Sequence, residues 1–153
     1  LVLRNPVDNP DHNDPANWRE STQRGGNPGN SDAVFFAGNL NDDLDGDGLS
    51  ALLEYATGSS DQVPNGSPVS LATIGDGRLA LTLQINQAAD DVTHRIELSS
   101  DLVNWTDASA RFPLVSFNNH GDGTVTLTYQ SDPALVSAAV PRHFVRVEFS
   151  REP

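Results

Sequence analysis

Acidic side chains recur at a regular spacing between residues 43 and 54. Carboxylates stand at positions 1, 3, 5 and 12 of a twelve-residue calcium-loop pattern, and glycine stands at position 6; these residues are Asp43, Asp45, Asp47, Glu54 and Gly48. In such loops the carboxylates and the main-chain carbonyl of position 7, here Leu49, supply about six to eight oxygens to Ca²⁺. Without a cation these carboxylates would repel one another, so the spacing predicts a calcium site.

The residues around this loop favour a structural calcium site over a sensor. The preceding stretch Gly38-Asn39-Leu40-Asn41 is a poor entering helix, and the sequence has one such loop and no methionine. Sensors open a methionine-rich groove, so we expect no calcium switch. A short helix is predicted to follow over residues 50–57 and to stop at Gly58. Its predicted apolar stripe consists of Leu49, Leu52, Leu53 and Ala56.

The sequence carries no pattern typical of an active site. The four histidines, His12, His94, His120 and His143, are scattered, and no nucleophile, phosphate-loop or zinc-protease motif is present. Asp90 and Asp91 lie between two predicted strands, where we expect a solvated turn. His94 falls on the apolar side of a predicted strand, so a half-buried, hydrogen-bonded histidine is favoured. We therefore expect a noncatalytic protein.

The composition is strongly acidic. The formal net charge is -12, and all nine basic side chains are arginine. Such a surface repels nucleic acid and anionic membranes and attracts divalent cations. Cysteine is absent, so calcium is expected to replace disulfides as the stabilising element of a secreted, extracellular domain. No apolar run approaches the roughly 20 residues of a membrane-spanning helix, and we expect no membrane insertion.

Turn and strand signals divide the chain into three parts. Residues 1–41, termed the N-terminal arm, are rich in Asn, Asp, Pro and Gly, and between Arg4 and Asp32 the only sizeable apolar side chains are Val7 and Trp18. This arm is too polar to form its own core, so we expect it to be extended or to wrap over the surface. Residues 42–60 hold the calcium loop and its helix, and residues 61–153 hold the strands.

Alternation of apolar and polar residues predicts four strands in the last part. They span residues 78–85, 92–98, 124–129 and 143–149. Each has one apolar face, which is typical of antiparallel sheets with the other face in water. The predicted fold class is mainly β: an antiparallel, Ig-like β-sandwich with one EF-hand-like calcium loop and one short helix, preceded by the extended arm.

Several segments resemble modules of large secreted bacterial proteins. The segment DLDGDGLSALLEYATG (43–58) resembles the calcium repeats related to thrombospondin type 3 and dockerin loops. The segments THRIELSS (93–100), DLVNWT (101–106) and RHFVRV (142–147) are similar to parts of C-terminal accessory modules in such proteins. The segments NWRES (17–21) and GGNPG (25–29) resemble the closing stretch of lamin-tail-like domains. The resemblance implies a noncatalytic extracellular accessory module.

The arm and the tryptophans leave two functions open. About 30 polar residues separate Leu1, Val2 and Leu3 from the first core-like segment, and an extended chain of that length spans on the order of 100 Å. This terminal strand can complete its own sheet or pair with an edge strand of a second copy. We expect a calcium-stabilised structural or adhesion module, with strand exchange into a homopolymeric filament as its assembled form. The alternative is a carbohydrate-binding accessory module of a secreted enzyme, in which Trp18 and Trp105 stack on a polysaccharide.

Overall fold

The computed structural model describes residues 1–75, 77–136 and 143–152. Arg142, the first residue of the RHFVRV segment, lies outside them. The strands are β1 (Val2–Leu3), β2 (Trp18–Arg19), β3 (Val69–Thr73), β4 (Leu79–Asn86), β5 (Val92–Ser99), β6 (Thr106–Asp107), β7 (Leu114–Asn119), β8 (Thr124–Gln130) and β9 (Phe144–Arg151), and the α-helix is α1 (Ala51–Thr57). No helix among the described residues has both the length and the apolar character needed to cross a membrane.

Two antiparallel sheets form the body of the molecule. One has four strands in the order β3-β4-β8-β7, and the other has three in the order β6-β5-β9. A separate two-stranded sheet joins β1 to β2 near the N terminus. The predicted fold class is confirmed: the protein is mainly β, with antiparallel sheets consistent with a β-sandwich and one short helix.

Alternate side chains of the central strands form the core. In β4, Leu81 and Leu83 are 1% and 0% exposed, whereas the intervening Thr82 is half-buried. The main buried cluster brings together both sheets and the segments between them; it consists of Leu81, Ile96, Leu98, Ala108, Phe112 and Leu135. Each large side chain of this kind contributes about 1.5–3 kcal/mol when it is removed from water. The period-two pattern of the sequence thus places the apolar faces inside the protein.

The predicted strands agree with β4, β5, β8 and β9 to within two residues at either end. The two-residue strands β2 and β6 have no counterpart among the predictions, and neither do the longer strands β3 and β7. Both are edge strands, and every residue of β7 is exposed. Because an exposed edge strand can be polar or apolar on either face, its sequence carries little alternation to detect.

The helix α1 follows the acidic loop as predicted, but of the predicted apolar stripe only Ala56 is fully buried. Ser50 Oγ accepts a hydrogen bond from the Leu53 amide at 3.4 Å, and Gly58, with a φ of 78°, ends the helix. The buried residues are Ala51, Glu54, Ala56 and Thr57, whereas the predicted Leu52 and Leu53 are only half-buried. The helix therefore presents a carboxylate, Glu54, to the interior of the protein.

Side chains of β4 hold the C-terminal end of this helix. Gln84 Nε2 donates to the Thr57 carbonyl at 2.9 Å, and Asn86 Nδ2 donates to the Tyr55 carbonyl at 2.9 Å. A Cβ atom at Gly58 would lie 2.8 Å from Thr124 Cγ2 of β8, so this position needs glycine for its space as well as for its positive φ. These contacts fix the helix, and the acidic loop before it, to the four-stranded sheet.

The N-terminal arm forms local structure of its own. In the β1–β2 pair, Val2 lies opposite Arg19 and Leu3 lies opposite Trp18, and the Arg4 amide donates to the Asn17 carbonyl at 2.8 Å. Further along the arm, the Val34 amide donates to the Ala88 carbonyl at 2.9 Å. The last residues of the arm thus contact the sandwich, and its first strand pairs with another strand of the same arm.

Candidate metal centre

The acidic loop turns sharply at two glycines. Gly46 and Gly48 have φ angles of 77° and 90°, values that side-chain-bearing residues rarely adopt. Their amides both donate to Asp43, from Gly46 to Oδ1 at 2.8 Å and from Gly48 to Oδ2 at 3.0 Å. Apart from the adjacent residues, no atom of the described residues would lie within 4 Å of a Cβ at either position, so the backbone conformation is what favours glycine there. The turn wraps the loop around the carboxylate of Asp43.

The same loop brings three carboxylates together. The Asp47 amide donates to Asp45 Oδ1 at 3.1 Å, and the Leu49 amide donates to Asp47 Oδ1 at 2.8 Å. Carboxylate oxygens of Asp43, Asp45 and Asp47 lie within 4.8 Å of one another. Three of the five predicted metal ligands are therefore adjacent, in a cluster that can hold a metal ion.

Glu54 completes the acidic environment from the helix. It is 1% exposed, and among the described residues neither its Oε2 atom nor the buried Oδ2 atom of Asp45 has a hydrogen-bond partner. Burial raises the pKa of Glu54, and the charges of Asp45 and Asp47 raise this pKa further. Glu54 does not belong to the group of carboxylates within 4.8 Å of one another, but a buried carboxylate repelled by two other charges is costly unless a cation compensates the charge.

This donor set fits calcium. All the candidate side-chain donors are carboxylate oxygens, the hard ligands that Ca²⁺ prefers, and no histidine or cysteine belongs to the cluster. The unpartnered oxygens of Asp45 and Glu54 are of the type that a calcium ion would coordinate. Ligation by the Leu49 carbonyl and by Glu54 stays a prediction made from their positions in the loop.

Asp90 and Asp91 are not in a solvated turn, so that prediction is wrong. The guanidinium of Arg19 donates from Nε to Asp90 Oδ1 at 2.7 Å and from Nη2 to Asp32 Oδ1 at 2.7 Å. The side chains of all three residues are at most 4% exposed. Asp91 is 7% exposed and accepts from Arg151 Nε at 3.1 Å. These aspartates anchor neighbouring segments to the sandwich.

Asp32 is the most strongly bonded of these aspartates. Burial on its own raises the pKa of Asp32, but hydrogen bonds from Arg19, the Thr22 amide and Ser21 outweigh it, and together with the charge of Arg19 they lower the pKa to about 2. The Thr22 amide and Ser21 Oγ both donate to Asp32 Oδ2 at 2.8 Å. This arrangement folds residues 19–32 of the arm around one ionised carboxylate.

The two tryptophans make contacts inside the chain. Trp18 Nε1 donates to the His12 carbonyl at 2.9 Å, and the His12 ring lies edge-on to the indole, with the ring centroids 6.1 Å apart. Arg146 places its guanidinium 4.3 Å from the centroid of the Trp105 ring. Both tryptophans are half-buried. Each has an intramolecular role before any ligand is considered.

His94 is a half-buried, hydrogen-bonded residue, as predicted. Its Nε2 atom lies 2.8 Å from Tyr129 Oη across the sandwich, and burial lowers its pKa. Beside it is a groove of about 580 Å³ whose lining includes Leu1, Trp18, Leu114 and Phe117. The terminal residue Leu1 and Trp18 therefore line the same groove, whereas Trp105 is not part of it.

Sequence reasoning missed several residues that matter at these sites. Arg19 bonds Asp90, 71 residues away, and Tyr55 bonds Asp91, 36 residues away, and nothing in the sequence near either residue points to these partners. Asp32 bonds Arg19 within the arm, 13 residues away. Asn65 contacts two of the acidic residues from outside the loop. Its Asn-Gly pair indicated a turn, which could have suggested that the chain returns towards the loop.

Comparisons of the chain with family models, curated proteins and solved structures gave no match. Fold and site define the class: a mainly β, sandwich-like protein with an acidic loop that can hold a metal ion.

Proposed function

We propose that this chain is a noncatalytic, calcium-stabilised structural module of an extracellular protein. The observation that carries the proposal is the buried Glu54: its charge is repelled by Asp45 and Asp47, and its Oε2 atom has no hydrogen-bond partner in the part of the chain that the structure describes. A bound cation would turn this unfavourable group into a ligand, so folding and calcium binding would be coupled.

The proposed ligands come from the loop and from the start of the helix: Asp43, Asp45, Asp47, the Leu49 carbonyl and Glu54. Calcium would supply the positive charge that allows these carboxylates to lie together. The protein's own contribution is to hold the oxygens in place through the glycine turns and through the attachment of α1 to β4. This role needs no substrate, and it makes the ion a cross-link between the loop and the sandwich.

An extracellular location agrees with this chemistry. Extracellular calcium modules work at dissociation constants of about 10⁻⁴–10⁻³ M, which suits a single loop without a paired partner. The chain has no cysteine, so a secreted form must obtain its cross-links in another way. The net charge of -12 favours divalent cations near the surface.

The pairing of β1 with β2 in the same chain opposes self-association by strand exchange. Strand exchange through Leu1, Val2 and Leu3 would need β1 to leave β2 and to pair with a second copy. The pair thus supports a module that functions without strand exchange. Adhesion by other surfaces is compatible with the same calcium-stabilised body.

Thermal unfolding with calcium and with a chelator tests the proposal. At a calcium concentration about 100 times the dissociation constant, binding adds about 2.7 kcal/mol to the free energy of unfolding. For a domain of this size that corresponds to a rise of roughly 5–10 °C in the melting temperature. Asp45→Ala should abolish this rise, because it removes a central carboxylate of the cluster.

The matched control is Asp8→Ala, which removes an exposed aspartate of the arm. This variant should keep the full calcium-dependent rise. Equal melting temperatures for the unaltered protein in calcium and in chelator would refute the proposal.

A further inference from the structure

The segment after the helix returns to the acidic loop before it reaches the sandwich. Within this return segment, residues 59–67, the Asn65 amide donates to Asp47 Oδ2 at 2.6 Å. Asn65 lies eleven residues beyond Glu54, outside the calcium loop. A main-chain group from a separate part of the chain therefore orients one carboxylate of the cluster.

The side chain of Asn65 contacts a second acidic residue. Its Nδ2 atom donates to Glu54 Oε1 at 3.3 Å and to the Ser60 carbonyl at 3.1 Å, and it also contacts the Val63 carbonyl. Two of these three acceptors are carbonyl oxygens that can only accept, so the NH₂ end of the amide must point towards them. The oxygen end of Asn65 is consequently not the end that faces Glu54.

This contact distinguishes the two oxygens of Glu54. Oε1 is held by Asn65, whereas the buried Oε2 atom has no partner within residues 1–75, 77–136 and 143–152 and is the oxygen left for a metal. We propose that Asn65 is a positioning residue for the calcium site, which fixes Glu54 and Asp47 from outside the loop. The inference depends on the proposed calcium function and adds to it a residue that the loop pattern does not contain.

A positioning role has a physical reason. A free glutamate side chain loses rotamer freedom when it binds an ion, and this loss weakens binding. A hydrogen bond that already holds the carboxylate reduces this loss, and partners of metal ligands typically change metal affinity by about 10- to 100-fold. Because Asn65 also contacts two carbonyls of the return segment, calcium binding would stabilise that segment as well.

Calcium titration of three variants by isothermal calorimetry tests this role. Asn65→Ala removes the side-chain donor and leaves the main-chain amide, so we expect the dissociation constant for calcium to rise about 10-fold. Asn65→Asp replaces the donor by a carboxylate next to Glu54, and we expect an equal or larger loss of affinity. If Asn65 were itself a ligand, the aspartate variant would bind calcium as tightly as the unaltered protein or more tightly, which would overturn the proposal.

Asn104→Ala is the matched control. Asn104 Nδ2 donates to Asp101 Oδ2 at 2.7 Å in the turn after β5, so this variant also removes an amide-to-carboxylate bond. It should leave the calcium affinity unchanged.

Melting temperatures separate positioning from a purely structural role. For Asn65→Ala we expect a smaller calcium-dependent rise than in the unaltered protein. A variant that melts earlier by the same amount in calcium and in chelator, with an unchanged dissociation constant, would show that Asn65 only stabilises the return segment. If the unaltered protein binds no calcium, the proposed function fails and this inference fails with it.

Discussion

At the scale of single residues, Glu54 distinguishes a metal-binding loop from a cluster of solvated carboxylates. Exposed aspartates are common on a chain with a net charge of -12, and a cluster of them could simply be solvated. Glu54 differs because it is 1% exposed and one of its oxygens has no partner among the residues that the structure describes. Removal of its charge should therefore raise the free energy of unfolding without calcium and lower it with calcium.

Glu54→Gln tests this reversal. Glutamine keeps the shape of the side chain and can still accept from Asn65, but it removes a buried negative charge beside Asp45 and Asp47. In chelator we expect the free energy of unfolding to rise by about 1 kcal/mol. In calcium we expect most of the calcium-dependent stabilisation to be lost, because the charged ligand is missing. Urea unfolding in both conditions measures the two effects.

Glu152→Gln makes the same change at an exposed glutamate and serves as the control. It should alter the free energy of unfolding by no more than about 0.5 kcal/mol, in chelator or in calcium. A Glu54→Gln variant that is destabilised equally in chelator and in calcium would contradict the reversal.

Asp32 makes a separate prediction about acid stability. Its pKa is lowered from 3.8 to about 2 in the folded protein. The ionised form therefore contributes stability above pH 3.8, and this contribution is lost as the pH falls through 3.8 towards 2. We expect Asp32→Asn to be less stable than the unaltered protein by about 1–2 kcal/mol at pH 6, with the difference closing near pH 2.

Urea unfolding of both proteins between pH 6 and pH 2, with chelator present throughout, measures this difference. The other carboxylates titrate in both proteins, so the comparison isolates Asp32. A constant difference across the whole range would show that Asp32 acts through its shape and not through its charge.

At the scale of elements, local patterns predict those parts whose partners are near in sequence. The strands β4, β5, β8 and β9 follow from alternation, and α1 follows from Ser50 at its start and Gly58 at its end. The loop carboxylates were predictable for the same reason, because all of them lie within one twelve-residue pattern. The burial of Asp90 was not predictable, because its partner Arg19 lies 71 residues away and carries no pattern that points to it.

The attachment of the N-terminal arm to the sandwich depends on Arg19. Its guanidinium bonds Asp90 through Nε and Nη2 and reaches Asp32 through Nη2 as well. Removal of this arginine would leave two buried carboxylates without their cation, which typically costs about 3–5 kcal/mol. We expect Arg19→Ala to lower the free energy of unfolding by that amount and to expose residues 19–32 to proteases. Urea unfolding and limited proteolysis measure the two effects.

Arg19→Lys distinguishes charge from geometry. Lysine keeps the positive charge but lacks the planar fork that bonds two carboxylates, so we expect a partial loss of stability. The control is Arg24→Ala at an exposed position of the same arm, which should have little effect. A lysine variant as stable as the unaltered protein would show that the fork geometry is not needed.

At the scale of the whole molecule, Asp91 connects the arm to helix α1, which follows the acidic loop. Tyr55, next to Glu54 in α1, donates its hydroxyl to Asp91, which also accepts from the Phe36 amide at 3.1 Å and from Arg151 of β9. The Tyr55 hydroxyl also contacts the Val34 carbonyl. The helix that carries a predicted calcium ligand therefore bonds both the end of the arm and the three-stranded sheet. In this arrangement a calcium ion would stabilise the arm's attachment through α1.

The first strand makes the last prediction, because it determines whether molecules assemble. Its pairing with β2 satisfies β1 within the chain, and Arg19 of β2 is fixed to Asp90 of the sandwich. A strand that is already paired at an anchored site has little to gain from exchange with an identical copy. We therefore expect a monomer in calcium at all concentrations tested, and the same behaviour after deletion of residues 1–4, as measured by multi-angle light scattering. A mass that grows with concentration and returns to that of one chain after the deletion would instead establish strand exchange through Leu1, Val2 and Leu3.

Arg19→Ala makes this test more stringent: it frees β2 from its anchor, so exchange that is merely suppressed by the anchor would appear in this variant alone.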